Sequence, residues 1–171
     1  MIGDHCISAI SDAYCKGIRN FDVDKAYEGM RKNAFETPSN LDEYKNGMGR
    51  RALTSYLEYG YIPLEDGVPD AFHTKEQVSR TLEYAYDDFA LAQMAKALGK
   101  TDDYQALIRR AANYRNVIDP RTGYAQGRHA DGTFLNDANA FNFARFITEG
   151  APCHYTWYVP QDPYGLMASM G

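Results

Sequence analysis

Residues 78–98 constrain the fold of this chain more than any other part of the sequence. They have the spacing of an α-helix, but their apolar side chains fall on nearly every side of it, at Leu82, Ala85, Tyr86, Phe89, Ala90, Leu91, Ala92, Met94, Ala95, Ala97 and Leu98. A helix that is apolar all round is buried all round. We therefore predict an inner helix with other helices packed outside it, ending at Gly99.

Helical periodicity also runs through most of the remaining chain. Stretches with one apolar face predict further helices over residues 2–14, 22–34, 46–58 and 102–116, with Asp22 starting the second. Two short runs around residues 129–132 predict a small hairpin. The expected fold class is all-α, with paired helices and one short β-hairpin, forming a helical layer around an axis or part of one.

Composition and charge exclude several classes of protein. The 171 residues are enough for one domain, and 18 Lys and Arg face 23 Asp and Glu for a net charge of −5. Nucleic-acid binding needs a basic face, so we predict no nucleic-acid partner. No run of 18 apolar residues occurs, and the first residues lack the regions of a signal peptide. We therefore predict no membrane span and no targeting signal in this chain.

The cysteines and histidines form no recognisable metal-binding or nucleophilic pattern. Cys6, Cys15 and Cys153 have no C-x-x-C spacing, and no two of the four histidines have H-x-x-x-H spacing. The sequence therefore indicates neither a disulfide framework nor a metal site. A nucleophilic Cys153 would need its base from elsewhere in the chain.

Three carboxylates, Glu83, Asp87 and Asp88, interrupt the apolar surface of the inner helix. Glu83 and Asp87 are one turn apart on the same face, where like charges repel. We expect Arg80, one turn earlier, to neutralise them. Two interpretations are open: a polar functional site on an otherwise apolar helix, or an internal arginine–carboxylate network that holds loops.

Glu149 lies outside any amphipathic helix, in Ile147-Thr148-Glu149-Gly150. Six aromatic residues flank it in sequence, at Phe141, Phe143, Phe146, Tyr155, Trp157 and Tyr158. A carboxyl group among aromatic rings is poorly solvated and holds its proton more firmly, as a general acid must near neutral pH. Glu149 is therefore either a general acid or a loop glutamate that caps a helix.

Read together, these segments resemble the catalytic domain of glycoside hydrolase family 92, the calcium-dependent exo-acting α-mannosidases. The resemblance covers essentially the whole chain, in the family's order and with similar separations. The matching stretches are Gly3-Asp-His5, Asp12-Ala-Tyr14, Lys16-Gly17-Ile18, Gly60-Tyr61-Ile62-Pro63, residues 78–88, residues 114–117 with Asp119, Thr148-Glu149-Gly150, Val159-Pro160 with Asp162, Gly165-Leu166 and Met170-Gly171. The 82–88 block is specific in combination with the Thr-Glu-Gly block.

The resemblance implies a fold and a catalytic residue. Family catalytic domains are (α/α)6 toroids, and family members are several times longer than this chain. Residues 1–171 would then be a fragment of the toroid, without the N-terminal β-sandwich domain and the C-terminal part of the toroid. The family's general acid is a glutamate in a Thr-Glu-Gly motif, which falls on Glu149. The catalytic base and the calcium ligands follow the matched stretch, so we expect calcium in the full-length parent and none bound by this chain.

The expected function is that of part of an inverting α-mannosidase, of the α-1,2-specific kind, which hydrolyses terminal mannose from glycans. We expect substrate contacts from Glu83, Asp87, His154 and Tyr155, although residues 151–155 depart from the family's usual Asn-x-Trp-Gln-Tyr. The parent is expected to be secreted or periplasmic. We expect self-association through exposed helix faces, because the inner helix would lack part of its surround. The alternative is a non-catalytic helical carbohydrate-binding or interaction module.

Overall fold

The protein is described by a computed structural model that covers residues 2–40, 42, 44, 49–69, 71–136 and 139–170. Residues 46–48 of the predicted third helix lie outside this description. The helices are α1 (Cys6–Cys15), α2 (Val23–Phe35), α3 (Leu53–Tyr59), α4 (Gln77–Ala97), α5 (Thr101–Arg110), a 3₁₀ turn (Asn113–Val117), α6 (Pro152–Tyr155) and α7 (Pro163–Met170). None of these is long and apolar enough to cross a bilayer.

Helix α4 is the inner helix that the sequence predicts. Most of its 21 residues are buried, and they lie on every side of the helix. It packs against α1, α2, α5 and the 3₁₀ turn. The chain leaves the helix at Gly99, where φ is +70°, a conformation that favours glycine. The end of this helix is confirmed, and its burial is confirmed on all sides for residues 77–85, whereas Tyr86, Phe89 and Gln93 are half-buried and Ala97 is exposed.

The hydrophobic core forms three clusters, and α4 contributes to each of them. Its first turns pack against the 3₁₀ turn and the segment around Phe146 and Ile147. Its last turns pack between α1, α2 and α5. In the third cluster, Tyr84 of α4 packs with Leu53 and Tyr56 of α3. The chain therefore covers most of α4 but leaves a stripe through Tyr86, Phe89, Gln93 and Ala97 half-buried or exposed, and self-association stays a prediction.

The bounds of the outer helices agree in part with those predicted from the sequence. Asp22 caps α2 by accepting a hydrogen bond from the Lys25 N–H (3.0 Å), as predicted. Helix α1 begins only at Cys6, because the preceding residues form a loop that bonds to α4. Helix α5 ends at Arg110 rather than continuing to residue 116, and the 3₁₀ turn follows it.

Two other predictions need correction. Helix α3 begins at Leu53, because Ala52 has a left-handed backbone (φ +53°), and Leu57, expected to be buried, is 44% exposed. The hairpin is reduced to one antiparallel bridge between Arg128 and Phe134, closed by the His129 N–H on the Thr133 carbonyl (2.8 Å). Because the backbone pairing is limited to isolated bridges, the described residues form no extended strand. The fold is therefore all-α, as predicted.

Asp88 joins α4 to two other parts of the chain. Its side chain is fully buried and accepts hydrogen bonds from Arg50 Nη1 (2.6 Å), Arg110 Nε and Nη2 (both 2.8 Å) and the Tyr56 hydroxyl (3.2 Å). Removing one member of a buried ion pair leaves an uncompensated charge in a poorly solvated site. Asp88 therefore anchors the segment before α3 and the end of α5 to the inner helix.

We expect Asp88→Asn to lower the free energy of unfolding by about 3–5 kcal/mol, because two guanidinium groups lose their buried counter-charge. Urea unfolding followed by circular dichroism measures this. Asp12→Asn is the matched control, since it removes only the exposed Asp12–Lys16 pair and should not change the unfolding midpoint. Equal effects of the two substitutions would contradict the anchoring role of Asp88.

Candidate functional site

The loop that carries Glu149 is fixed on the N-terminal end of α4. The first turn of a helix has N–H groups without partners inside the helix. Here the Val78 and Ser79 N–H groups donate to the Phe146 carbonyl (3.1 and 3.3 Å), and the Thr148 N–H donates to the Ser79 hydroxyl (2.9 Å). These bonds place Glu149 at the end of the inner helix, although about 70 residues separate the two segments.

Glu149 lines a pocket of about 340 Å³ together with His73, Thr74, Lys75, Glu76, Phe143, Arg145 and Ile147. We call this the Glu149 pocket. Among the described residues, five non-glycine positions have a positive φ, and Lys75 (+68°), Glu76 (+52°) and Glu149 (+51°) are three of them. Such strained backbone persists only where the surroundings enforce it, and it clusters at functional sites.

The side chain of Glu149 is exposed. Of the six aromatic residues that flank it in sequence, Phe143 is the one that lines its pocket, and Trp157 is 60% exposed. The expectation that aromatic rings enclose Glu149 is therefore wrong for the part of the chain that the structure describes. Sequence neighbours on an irregular loop point in different directions, so their number does not predict enclosure.

A second polar group lies on α4, where Glu83 and Asp87 face the loop before α1. Asp87 accepts a hydrogen bond from the Asp4 N–H (2.7 Å), and Glu83 accepts one from the Tyr155 hydroxyl (2.9 Å). The other oxygen of each carboxylate faces His5, at 3.3 Å from Nε2 for Glu83 and 3.8 Å from Nδ1 for Asp87. One imidazole therefore lies between two buried carboxylates.

Burial decides the protonation of this pair. Desolvation raises the pKa of Asp87 to about 7, against the opposing effect of the Arg50 charge. Desolvation likewise raises the pKa of Glu83, opposed by His5. The form in which both buried carboxyl groups are ionised is therefore disfavoured at neutral pH.

Arg80 does not neutralise this pair, contrary to the expectation from its spacing. Its guanidinium donates to the carbonyl groups of His73 (2.6 Å) and Ile2 (3.4 Å) and lies 3.8 Å from Glu76. A long side chain at the N-terminal end of a helix reaches the loops beyond that end. His5 takes the place predicted for Arg80.

The two interpretations of the α4 carboxylates apply to different residues. Asp88 belongs to an arginine–carboxylate network that holds loops. In the described part of the chain, Glu83 and Asp87 form ion pairs only with His5, and each keeps a buried oxygen (Oε2 and Oδ1) without a hydrogen bond. Buried acceptors without donors are costly for stability alone, which favours a functional role for this pair.

Tyr155 and His154 are neighbours on α6, between the α4 carboxylates and the Glu149 loop. Burial raises the pKa of Tyr155, and its hydroxyl remains a hydrogen-bond donor to Glu83. His154 is exposed, and its Nδ1 accepts from the Ala151 N–H (3.2 Å). The structure thus brings Glu83, Asp87 and Tyr155 together, while His154 lies on α6, directly after the Glu149 loop.

Sequence reasoning missed two residues of this region, His5 and Glu76. His5 lies in the Gly3-Asp-His5 match, a signal that pointed to it. Its position depends on Gly3, because a Cβ there would lie 2.6 Å from His5 Cε1. Glu76 precedes the matched 78–88 block and has no pattern of its own, so only the fold brings it to Glu149.

No group of three or more His, Cys, Asp or Glu side chains in the described residues is arranged to hold a metal ion. Calcium requires six to eight oxygen ligands, and neither polar region supplies such a set. The described residues therefore do not fit the calcium ion that the family resemblance implies for the parent.

Known proteins match the chain over its full length. A family GH92 α-mannosidase of Bacteroides thetaiotaomicron, BT3965, is 38% identical with a TM-score of 0.84, and the match covers 100% of this chain and 20% of that one. The family GH92 inverting mannosidase BT2199 from the same organism is 34% identical with a TM-score of 0.86, covering 100% and 22%. An uncharacterized secreted glycosidase of Arthroderma benhamiae is 32% identical over 99% of this chain and 24% of its own length.

These relatives are much longer than the chain, which spans about a fifth to a quarter of their length. The structural matches confirm the all-α class, as part of an (α/α)6 toroid. The model of the glycosyl hydrolase family 92 catalytic domain matches residues 1–171. The chain therefore belongs to glycosyl hydrolase family 92.

Proposed function

We propose that this chain is part of an inverting α-mannosidase, specific for α-1,2 linkages, that removes terminal mannose from glycans. The observation that carries the proposal is the full-length match to two structures named as mannosidases, one of them as inverting. A further structure of BT3965, in complex with mannoimidazole, supports a mannose-like ligand for that relative. The Thr148-Glu149-Gly150 motif lies within the match.

Glu149 is the general acid in this proposal. Inverting hydrolysis needs one carboxylic acid to protonate the leaving oxygen and one carboxylate to activate water on the opposite face of the sugar. Glu149 gives its proton to the glycosidic oxygen as the C1–O bond breaks, and the base takes a proton from the attacking water. The rigid loop, the exposed carboxyl and the strained backbone of Glu149 support this role. The base is expected downstream of the matched stretch.

The carboxylate pair binds substrate hydroxyl groups in this proposal. The unpartnered oxygens of Glu83 and Asp87 are acceptors that hydroxyl donors of a sugar would satisfy, once His5 moves aside. Tyr155 donates a hydrogen bond to Glu83, and His154 contacts the sugar from α6, which follows the Glu149 loop. A site made of a few convergent polar groups in a concave surface is typical of small-ligand binding.

The same family membership supports the proposals for the whole protein. Residues 1–171 are a fragment of the toroid, the full-length parent carries the β-sandwich domain, the rest of the toroid and calcium, and it is secreted or periplasmic, as the name of the Arthroderma relative suggests. Exposed apolar side chains at Trp157, Tyr164 and Met167 support self-association.

We expect Glu149→Gln in the parent enzyme to reduce cleavage of a mannose disaccharide by roughly 10²–10⁴-fold, because the amide keeps the shape and loses the proton. An aryl mannoside with a strongly acidic phenol needs no protonation and should lose far less activity. Steady-state kinetics on both substrates measure the difference. Glu28→Gln, at an exposed position of α2, is the control.

Glu83→Gln and Asp87→Asn should slow both substrates alike, since their proposed role does not depend on the leaving group. If Glu149→Gln slows both substrates equally, or neither, Glu149 is not the general acid. A parent that binds mannose glycans without hydrolysing them would favour the non-catalytic carbohydrate-binding module.

We expect the isolated 171-residue chain to release no mannose from α-mannosides, with or without added calcium. The acid alone supplies only part of the rate enhancement, and the base and calcium ligands are expected outside the chain. Sensitive detection of free mannose after long incubation measures this. Turnover by the isolated chain, abolished by Glu149→Gln, would place the base among its own residues.

A further inference from the structure

We propose that Ser79 is a positioning residue for the proton donor, because its buried hydroxyl holds the loop that aims the Glu149 carboxyl at the glycosidic oxygen. The inference rests on the proposed function, since it takes Glu149 as the general acid. Ser79 lies in the first turn of α4, within the matched 78–88 block, but no sequence pattern singles it out. Its role follows from contacts that the fold creates.

Ser79 is bonded twice to the loop that carries Glu149. Its N–H donates to the Phe146 carbonyl (3.3 Å), and its hydroxyl accepts from the Thr148 N–H (2.9 Å). Ser79 is fully buried, and side chains in a packed interior keep one rotamer. The inner helix therefore presents a fixed acceptor to the residue directly before Glu149.

The backbone of Glu149 needs such support. Its φ is +51°, a left-handed conformation that is unfavourable for a residue with a Cβ atom. On the other side of Glu149, the Gly150 carbonyl accepts from the Ala144 N–H (3.2 Å). That bond lies within the loop, whereas the Ser79 hydroxyl ties the loop to α4. Anchors on both sides thus keep Glu149 in a conformation that a free loop would leave.

Thr81, two residues further along α4, makes an equivalent contact with a different segment. Its hydroxyl accepts from the Ile62 N–H (3.0 Å) and donates to the Gln77 carbonyl (2.8 Å), and the residue is fully buried. Loss of either hydroxyl leaves a backbone N–H without its acceptor, which is destabilising. The two residues differ in what their partner segments carry, because Ser79 bonds to the loop of the acid and Thr81 does not.

The position of the Glu149 carboxyl decides how well it transfers its proton. A general acid must lie within hydrogen-bond reach of the oxygen that it protonates, and a displacement of about 1 Å costs up to 10²-fold in rate. Without the Ser79 hydroxyl, the Thr148 N–H has no acceptor, and the left-handed backbone of Glu149 relaxes. The proton still passes from Glu149 to the leaving oxygen as the C1–O bond breaks, but in fewer of the bound complexes.

The test compares Ser79→Ala with Thr81→Val in the parent enzyme, on a mannose disaccharide and on an aryl mannoside with a strongly acidic phenol. We expect Ser79→Ala to lower kcat for the disaccharide roughly 10- to 100-fold with little change in KM, because the carboxyl is displaced rather than removed. The aryl mannoside should lose far less. Thr81→Val should leave the ratio of the two kcat values unchanged, although thermal unfolding should show both variants folded and similarly destabilised.

A double-variant cycle shows whether Ser79 acts through Glu149. Glu149→Gln has already lost the proton, so adding Ser79→Ala should lower kcat for the disaccharide no further. Ser79→Cys keeps a weak acceptor of similar shape and should retain more activity than Ser79→Ala. The same comparisons use Ser79→Cys if the alanine variant does not fold.

A folded Ser79 variant with the same ratio of kcat values as Thr81→Val overturns the positioning role and leaves the proposed function standing. A full additional loss on adding Ser79→Ala to Glu149→Gln also overturns it, because Ser79 would then act independently of the acid. If Glu149→Gln itself slows the two substrates equally, the proposed function and the positioning role fall together.

Discussion

Buried polar side chains on α4 determine how the rest of the chain is arranged. Water does not reach the buried faces of this helix, so most polar groups there bond to the segments packed against it. Ser79 bonds to the Glu149 loop, Thr81 to the Ile62 N–H, Asp87 to the loop before α1 and Asp88 to the arginines of two further segments. The inner helix thereby specifies the position of each loop as well as the core.

The polar side chains of α4 are divided between two roles. Towards the middle of the helix, Asp88 is fully paired and serves stability. Asp87, next to Asp88, and Glu83, one turn earlier, each keep an oxygen that faces His5 without a hydrogen bond, and the backbone of Glu76 and Glu149 near the N-terminal end is strained. Stability alone would select against both features. Both features therefore support the functional role proposed for this part of the molecule.

Two groups of carboxylates near α4 have different parts in the proposed function. In that proposal, the buried pair beside His5 accepts hydroxyl groups of the sugar, and the exposed Glu149 protonates the leaving oxygen. Tyr155 connects the two regions, since its hydroxyl bonds to Glu83 while its helix α6 follows the Glu149 loop.

The sequence by itself determined the features that depend on neighbouring residues. The all-round apolar pattern of residues 78–98 predicted the inner helix, Asp22 predicted the start of α2, and ordered motifs along the chain predicted the family. These signals are local, or additive along the chain, and need no knowledge of distant contacts.

Tertiary structure decided what depends on contacts between distant segments. It placed His5, rather than Arg80, between Glu83 and Asp87, left Glu149 exposed instead of enclosed, and brought Glu76 into its pocket. Partners 70 or more residues apart meet only when the helices have packed, and the direction of a side chain on an irregular loop follows its backbone dihedrals rather than its neighbours in sequence. The inner helix was therefore predictable from periodicity, whereas the site at its end was a product of packing.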